Sequence, residues 1–161
     1  KMNFPICNKI VFIVFLAFSS IIRVGAQERT EKFEIVCHAC FTDNSIICNS
    51  MEELRLGYRI NGYSMVSISY FHFGACVNPG GVFSYSLHRR HEWFEIVPSI
   101  GIGAISGVSG NKSIMPMVDL SVELRAYIGR SGKVFYGLCS KGLSSANETK
   151  LYNGFCVGFV I

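Results

Sequence analysis

Hydrophobic and polar residues alternate with a period of two along most of the chain beyond position 32, the spacing of strands whose two faces meet different surroundings. In "VDLSVELRAYIG", Val118, Leu120, Val122, Leu124, Ala126 and Ile128 share one parity, and Asp119, Ser121, Glu123, Arg125 and Tyr127 share the other. "ELRLGYRI" sets Leu54, Leu56, Tyr58 and Ile60 against Glu53, Arg55, Gly57 and Arg59. "FEIVPSIGIGA" and "LYNGFCVGFVI" alternate in the same way, and no long segment shows clear helical spacing. The pattern predicts about eight strands, roughly 33–41, 52–60, 63–73, 82–88, 93–104, 114–128, 133–143 and 151–161.

The connections between them alternate in length. Short ones fall at "NG" (61–62), "RRHE" (89–92) and "GRSG" (129–132), and longer ones at 42–51, 74–81, 106–113 and 144–150. Successive connections of an up-and-down barrel lie at opposite ends, so the short turns gather at one end and the long loops at the other, as in outer-membrane barrels. Parity alone also fits a soluble sandwich with one wet face. The polar parity separates the two, because its mixture of Gly, Ser and ionic groups of both signs suits a narrow interior. A wet strand face gains nothing from so many glycines. Tyr58, Trp93, Phe94 and Tyr136 stand near strand ends, where aromatic belts form.

Ahead of the strands, Lys1 and Lys9 flank an apolar run from Ile10 to Ile22, and Val24 and Ala26 offer small residues before Gln27. This reads as an export signal over 1–26, cleaved after Ala26, with a barrel domain over 27–161. The apolar run is shorter than the ~20 residues that a spanning helix needs. Loss of Lys1, Lys9 and Arg23 lowers the basic count from 15 to 12 against 11 acids, so the remaining chain is nearly neutral and gives no support for nucleic-acid binding. Of seven cysteines, six remain beyond the signal. "CHAC" (37–40) has metal or redox spacing but no second ligand motif, and on a strand Cys37 and Cys40 face opposite ways, so neither a metal nor a cofactor is expected.

With these features the chain resembles the small outer-membrane β-barrel proteins of Gram-negative bacteria, particularly the porin-like family common in Bacteroidetes. The resemblance rests on "LGYRINGYSMVSISY", "VPSIGIGA", "VDLSVELRAYIG" and "YNGFCVGFVI". It implies an all-β, eight-stranded antiparallel up-and-down transmembrane barrel in the outer membrane, with both termini periplasmic. Its implied partners are outer-membrane lipid and the barrel-assembly machinery, with Gly154, Val157 and Phe159 in the last strand as the assembly signal.

An inward polar parity makes Glu34, Glu53, Arg55, Arg59, Glu95, Asp119, Glu123, Arg125 and Lys141 an interior charge network. Hairpin counting sets Tyr127 opposite Phe135, Arg125 opposite Gly137, Glu123 opposite Cys139 and Glu95 opposite Arg125, with Lys141 one diagonal step away. It also brings Glu34 to Arg59 and His38 to Arg55. The same counting places Cys139 opposite Cys156, either as a cross-strand disulfide or as two reduced thiols, and offers Cys40 and Cys48 as a staple of the first long loop. A three-residue loop at 60–62 pairs Arg59 with Tyr63 and sends Val66, Ile68 and Tyr70 outward.

No catalytic constellation stands out. His38, His72, His88 and His91 form no His-x-Ser pair, and His88 with His91 brackets two arginines in what reads as a solvated turn, although a His-Ser-carboxylate site of a lipid-modifying barrel could assemble in space from Ser84, Ser86 or Ser99. Three function classes remain. They are a filled barrel with a structural or surface-interaction role, a small-solute porin, and a secreted soluble β-sandwich or lipocalin-like binder.

Overall fold

A computed structural model describes residues 31–42, 50–74, 76–91, 94–106, 114–129, 132–145 and 149–161, with backbone alone for 76–78. The segment read as an export signal, Cys48 and Trp93 lie outside the described residues. The strands are β1 (Phe33–Phe41), β2 (Ser50–Asn61), β3 (Ser64–Phe73), β4 (Cys76–Leu87), β5 (Arg89–His91), β6 (Phe94–Ser106), β7 (Ile114–Ile128), β8 (Val134–Ser145) and β9 (Thr149–Val160). All pairings are antiparallel and join chain neighbours, except that β4 and β5 both pair with β6 and that β1 pairs with β9, which closes the sheet. The result is an all-β, eight-stranded barrel, because β5 continues β4 along the same edge of β6.

The interruption between β4 and β5 has a covalent cause. Ser86 pairs with Ser99 and Arg89 with Ile96, so the register does not change across the gap. The residue facing Leu87 in that register is Pro98, which has no amide hydrogen to give. On the other side of the strand the amide of His88 continues the β3–β4 register, donating to the carbonyl of Tyr63 at 2.7 Å.

Side chains sort by parity as the sequence pattern requires. Along β7, Asp119, Ser121, Glu123 and Arg125 are buried, while Val118, Leu124 and Ile128 are exposed. Ile68 is 62% exposed and Ile102 69%, so aliphatic side chains cover the outside. In a soluble sheet this placement would leave a large unpaid apolar surface, whereas in acyl chains it costs nothing.

The connections differ from the expected lengths at two places. "GACVNPGG" is mostly strand: Phe73 pairs with Cys76, and the long loop expected over 74–81 shrinks to two residues. The proline is absorbed because β4 carries extra residues between the Phe71–Gly80 and Phe73–Cys76 pairs, a bulge that removes Pro79 from the ladder. "RRH" is strand as well, so the turn expected at 89–92 moves beyond His91, which pairs with Phe94.

In the first short turn Asn61 pairs with Ser64, and its side chain accepts hydrogen bonds from the amides of Tyr63 and Ser64, each at 2.9 Å. Arg59 consequently faces Met65, two residues from its expected partner Tyr63. Val66, Ile68 and Tyr70 still point outward, because a shift of two preserves the face. At the β7–β8 turn Gly129 and Gly132 both take positive φ, 73° and 59°, and Tyr127 meets Phe135 as counted.

Candidate functional site: the charged lumen

Most inward-facing side chains of the described wall are buried. Near the end that holds the 41–50, 73–76 and 145–149 connections, Met51, Phe71, Phe73, Met117, Leu143 and Tyr152 pack into an apolar cap. Phe73 meets Phe71 edge-on and Tyr152 at 5.6 Å between ring centres. Glycines on the inner wall give these groups room. A Cβ on Gly80 would run into the Phe71 ring, and one on Gly158 into the Phe135 ring. A second, smaller apolar group of Val36, Phe135, Cys156 and Val160 lies toward the opposite end.

Between them stands the charge layer, and Arg125 is its hub at 0% exposure. Its guanidinium donates to Glu34 through both terminal nitrogens at 2.9 Å, to Glu123 from Nε at 2.8 Å, and to Glu95 at 3.4 Å. Its flat face lies 4.3 Å over the centre of Phe135, so the charge is held by three carboxylates around its edge and by a ring beneath. Arg55 takes the other Glu123 oxygen at 2.6 Å. Arg59 reaches Glu34 at 3.9 Å. Toward the cap, Lys141 bridges Glu53 at 2.6 Å and Asp119 at 3.0 Å. All nine residues expected inside are therefore buried and in contact. Glu95 and Arg125 also occupy directly opposed ladder positions, as counted.

Two partners differ from expectation. Glu34 pairs with Gly57 in the ladder and reaches Arg59 only through side-chain length. His38 pairs with Glu53, not Arg55, and lies 3.4 Å from Glu53 and 3.2 Å from Glu123. The cysteine expectation needs a larger correction. Cys139 pairs with Gly154 and Cys156 with Gly137, so Cys139 and Cys156 are not opposed and both are free thiols. The sulfur facing Cys139 is that of Cys40, at 3.3 Å. The proposed loop staple cannot be traced, because Cys48 lies outside the described residues.

Several members were not expected at all. His88, read as part of a solvated turn, is buried and bridges Ser86 (3.3 Å), Glu95 (3.3 Å) and Arg59 (3.4 Å). Its parity with Ser84 and Ser86 was the available signal. Tyr127 donates its hydroxyl to Glu95 in a short hydrogen bond. Ser67 and Ser84 bond to each other at 2.7 Å, and Ser99 bonds to Ser121, so these four serines serve one another across strands.

Five buried carboxylates, Glu34, Glu53, Glu95, Asp119 and Glu123, thus face four permanent cations, Arg55, Arg59, Arg125 and Lys141, with His38 and His88 between them. Ser67 is tied to Ser84 and Ser99 to Ser121, whereas Ser86 bonds to His88, which in turn faces Glu95, and His38 lies between Glu53 and Glu123. One group has the makings of a metal ligand set, since donor atoms of His38, Glu123 and Cys156 lie within 4.8 Å of one another. Arg55 and Arg125 already occupy the Glu123 carboxylate.

The assembly-signal residues sit in β9 along the closing seam. Val157 and Phe159 point outward, and Gly154 faces in, between Cys40 on β1 and Cys139 on β8.

No protein-family model matches the chain, and no curated protein matches it in sequence. Solved structures do match in fold. The chain is similar to the N-terminal β-barrel domain of OprF from Pseudomonas aeruginosa, with a TM-score of 0.68 at 15% identity, covering 84% of this chain and 100% of that domain. It is similar to the outer-membrane protein Ail of Yersinia pestis, solved in a phospholipid bilayer nanodisc, with a TM-score of 0.55 at 9% identity over 81% of this chain and 99% of the other. A de novo designed transmembrane β-barrel matches over 84% of this chain and 100% of its own length, with a TM-score of 0.53 and 9% identity. The fold is that of a small transmembrane β-barrel.

Proposed function

We propose that this chain works in the outer membrane as a closed barrel with a structural or surface-interaction role, and not as a solute channel or an enzyme. One observation carries the reading: the fully buried Arg125 ties together carboxylates from β1, β6 and β7, filling the middle of the lumen beneath an apolar cap. With eight strands the bore is only wide enough for side chains, and here large ones occupy it. The aliphatic exterior supports outer-membrane lipid as the surrounding partner, and the fold neighbours support the same placement. Gly154, Val157 and Phe159 are offered to the barrel-assembly machinery. Membership of the porin-like group common in Bacteroidetes belongs to this proposal and rests on sequence pattern.

Planar-bilayer recording on the refolded chain tests it. The expected trace shows no stable channel. Reproducible single-channel steps from unmodified protein would overturn the filled-lumen reading and favour the porin.

A further inference from the structure

We propose that the outer rim at the short-turn end, built by β5, holds the phosphate of an anionic phospholipid, with Arg89 and His91 as its clamp. The inference rests on the reading of the aliphatic exterior as lipid-facing, and it names the lipid that this end selects. Positions 31–32, 89–92 and 129–133 carry Lys32, Arg89, Arg90, Arg130 and Lys133 against Glu31 and Glu92. The longer connections, 42–49, 107–113 and 146–150, balance Lys112 and Lys150 against Asp43 and Glu148. The connecting segments are therefore basic at one end of the barrel and balanced at the other.

The cations at this end differ from those in the lumen. Arg55, Arg59, Arg125 and Lys141 each have a carboxylate no farther than 3.9 Å away. Lys32, Arg89, Arg90 and Lys133 form no ion pair among the described residues. The two arginines lie on aromatic rings instead, Arg89 at 5.5 Å over the centre of Tyr63 and Arg90 at 4.7 Å over that of Tyr127. Both Nε atoms are buried with no hydrogen-bond partner among the described residues. Alternation divides their tasks. Arg90 shares the parity of the buried Ser86 and His88 and reaches over the lumen mouth, where a Cβ on Gly132 would stand 3.3 Å from its guanidinium. Arg89 and His91 share the parity of the exposed Phe83 and Tyr85, and His91 stacks on Phe94 with ring centres 5.1 Å apart.

Residues two apart on a strand stand about 7 Å apart on one face, a gap that a phosphate bridges by accepting a hydrogen bond from each side. Tyr63, 40% exposed, and Phe94 supply the aromatic floor that suits headgroup depth. Farther along the same wall Tyr85 and Ile100 are paired and exposed, so a lipid whose phosphate rests on Arg89 lays its acyl chains on apolar side chains. A soluble polyanion would gain nothing from that wall. The surplus of cations then chooses among lipids. A zwitterionic head brings a positive charge of its own beside Lys32, Arg90 and Lys133, whereas an anionic head brings none.

Refolding of the full chain into phosphatidylcholine vesicles, followed by a heat-modifiability gel, first establishes that it enters a bilayer. The barrel is then held in detergent micelles with equal amounts of phosphatidylglycerol and phosphatidylcholine, and native mass spectrometry reads the lipid adducts. Phosphatidylglycerol adducts should exceed phosphatidylcholine adducts about fivefold, the preference that one cation near a membrane surface supplies, and the excess should shrink as salt rises. Arg89→Gln with His91→Gln should bring the ratio close to one, and Lys150→Gln at the opposite end should leave it unchanged. Where the double variant does not fold, the wild-type ratio and its salt dependence decide. Equal adducts on the folded wild-type barrel, or an excess that survives the double variant, would overturn the inference and leave the membrane reading standing. Equal adducts together with tight binding of soluble polyglutamate would also overturn it and assign the rim to an acidic soluble partner. A chain that does not enter vesicles overturns both readings.

Discussion

Arg125 shows how far one side chain of this barrel could be read in advance. Its inward direction follows from the parity of β7, and Glu95 follows from the β6–β7 register. Glu34 does not, because it sits on β1, which is not a ladder neighbour of β7, and the two meet only across the closed bore. Removing the shared cation would take the closest positive partner from Glu34 and one of two from Glu123, leaving Arg55, Arg59 and His88 to hold three carboxylates in a medium that solvates them poorly. Breaking a buried ion pair from one side costs about 3–5 kcal/mol, so Arg125→Met should lower stability by that amount. Urea unfolding of the refolded barrel in lipid vesicles measures it, and a loss under ~1 kcal/mol would mean that water reaches the layer. Lys141→Met should behave alike, since Glu53 and Asp119 both depend on it.

At the scale of strands, the periodicity located nearly every element, and the errors share a form. Arg59 meets Met65 in place of Tyr63, Glu34 meets Gly57 in place of Arg59, and Cys139 meets Gly154 in place of Cys156. Each is a slip of two. Such a slip keeps every side chain on its face, so hydrophobic alternation is blind to it, and only turn geometry fixes the choice. "NPGG" misled for another reason: Gly and Pro signal loops in general, and nothing local reveals the bulge that keeps Pro79 in a strand.

The seam itself gives a test. A Cβ on Gly154 would meet the carbonyl of Ala39 and stand 2.6 Å from Cα of Cys40, both of them backbone atoms with little freedom to yield. Gly154→Ala should therefore cost roughly 1–3 kcal/mol as overpacking. Refolding in detergent alone, with no assembly machinery, isolates that steric effect from any loss of recognition; an unchanged unfolding midpoint would remove it. Depth gives another. Lysine at Ile68, midway along β3, should cost about 2–4 kcal/mol in a bilayer, and lysine at Ile128, beside a turn, about 0–1. Equal costs at the two sites would contradict the placement of the lipid band.

For the molecule as a whole, occlusion is built twice, from unlike materials. The apolar cap excludes water by packing, and the charge layer fills space with groups that hold one another by strong, directional bonds. The two are built from different side chains, so removing one should not open the barrel. Phe73→Ala with Tyr152→Ala empties part of the cap, leaving Arg125, Glu34, Glu123 and Lys141 in place. That double variant should stay silent in planar bilayers while becoming less stable, by about 3–5 kcal/mol for each deleted ring if the cavity does not relax. Adding Arg125→Ala should then produce measurable current, because the middle of the bore loses its largest side chain and the remaining carboxylates repel one another. Current in the cap variant alone would mean that the charge layer is porous to water and that packing at the loop end is the sole seal.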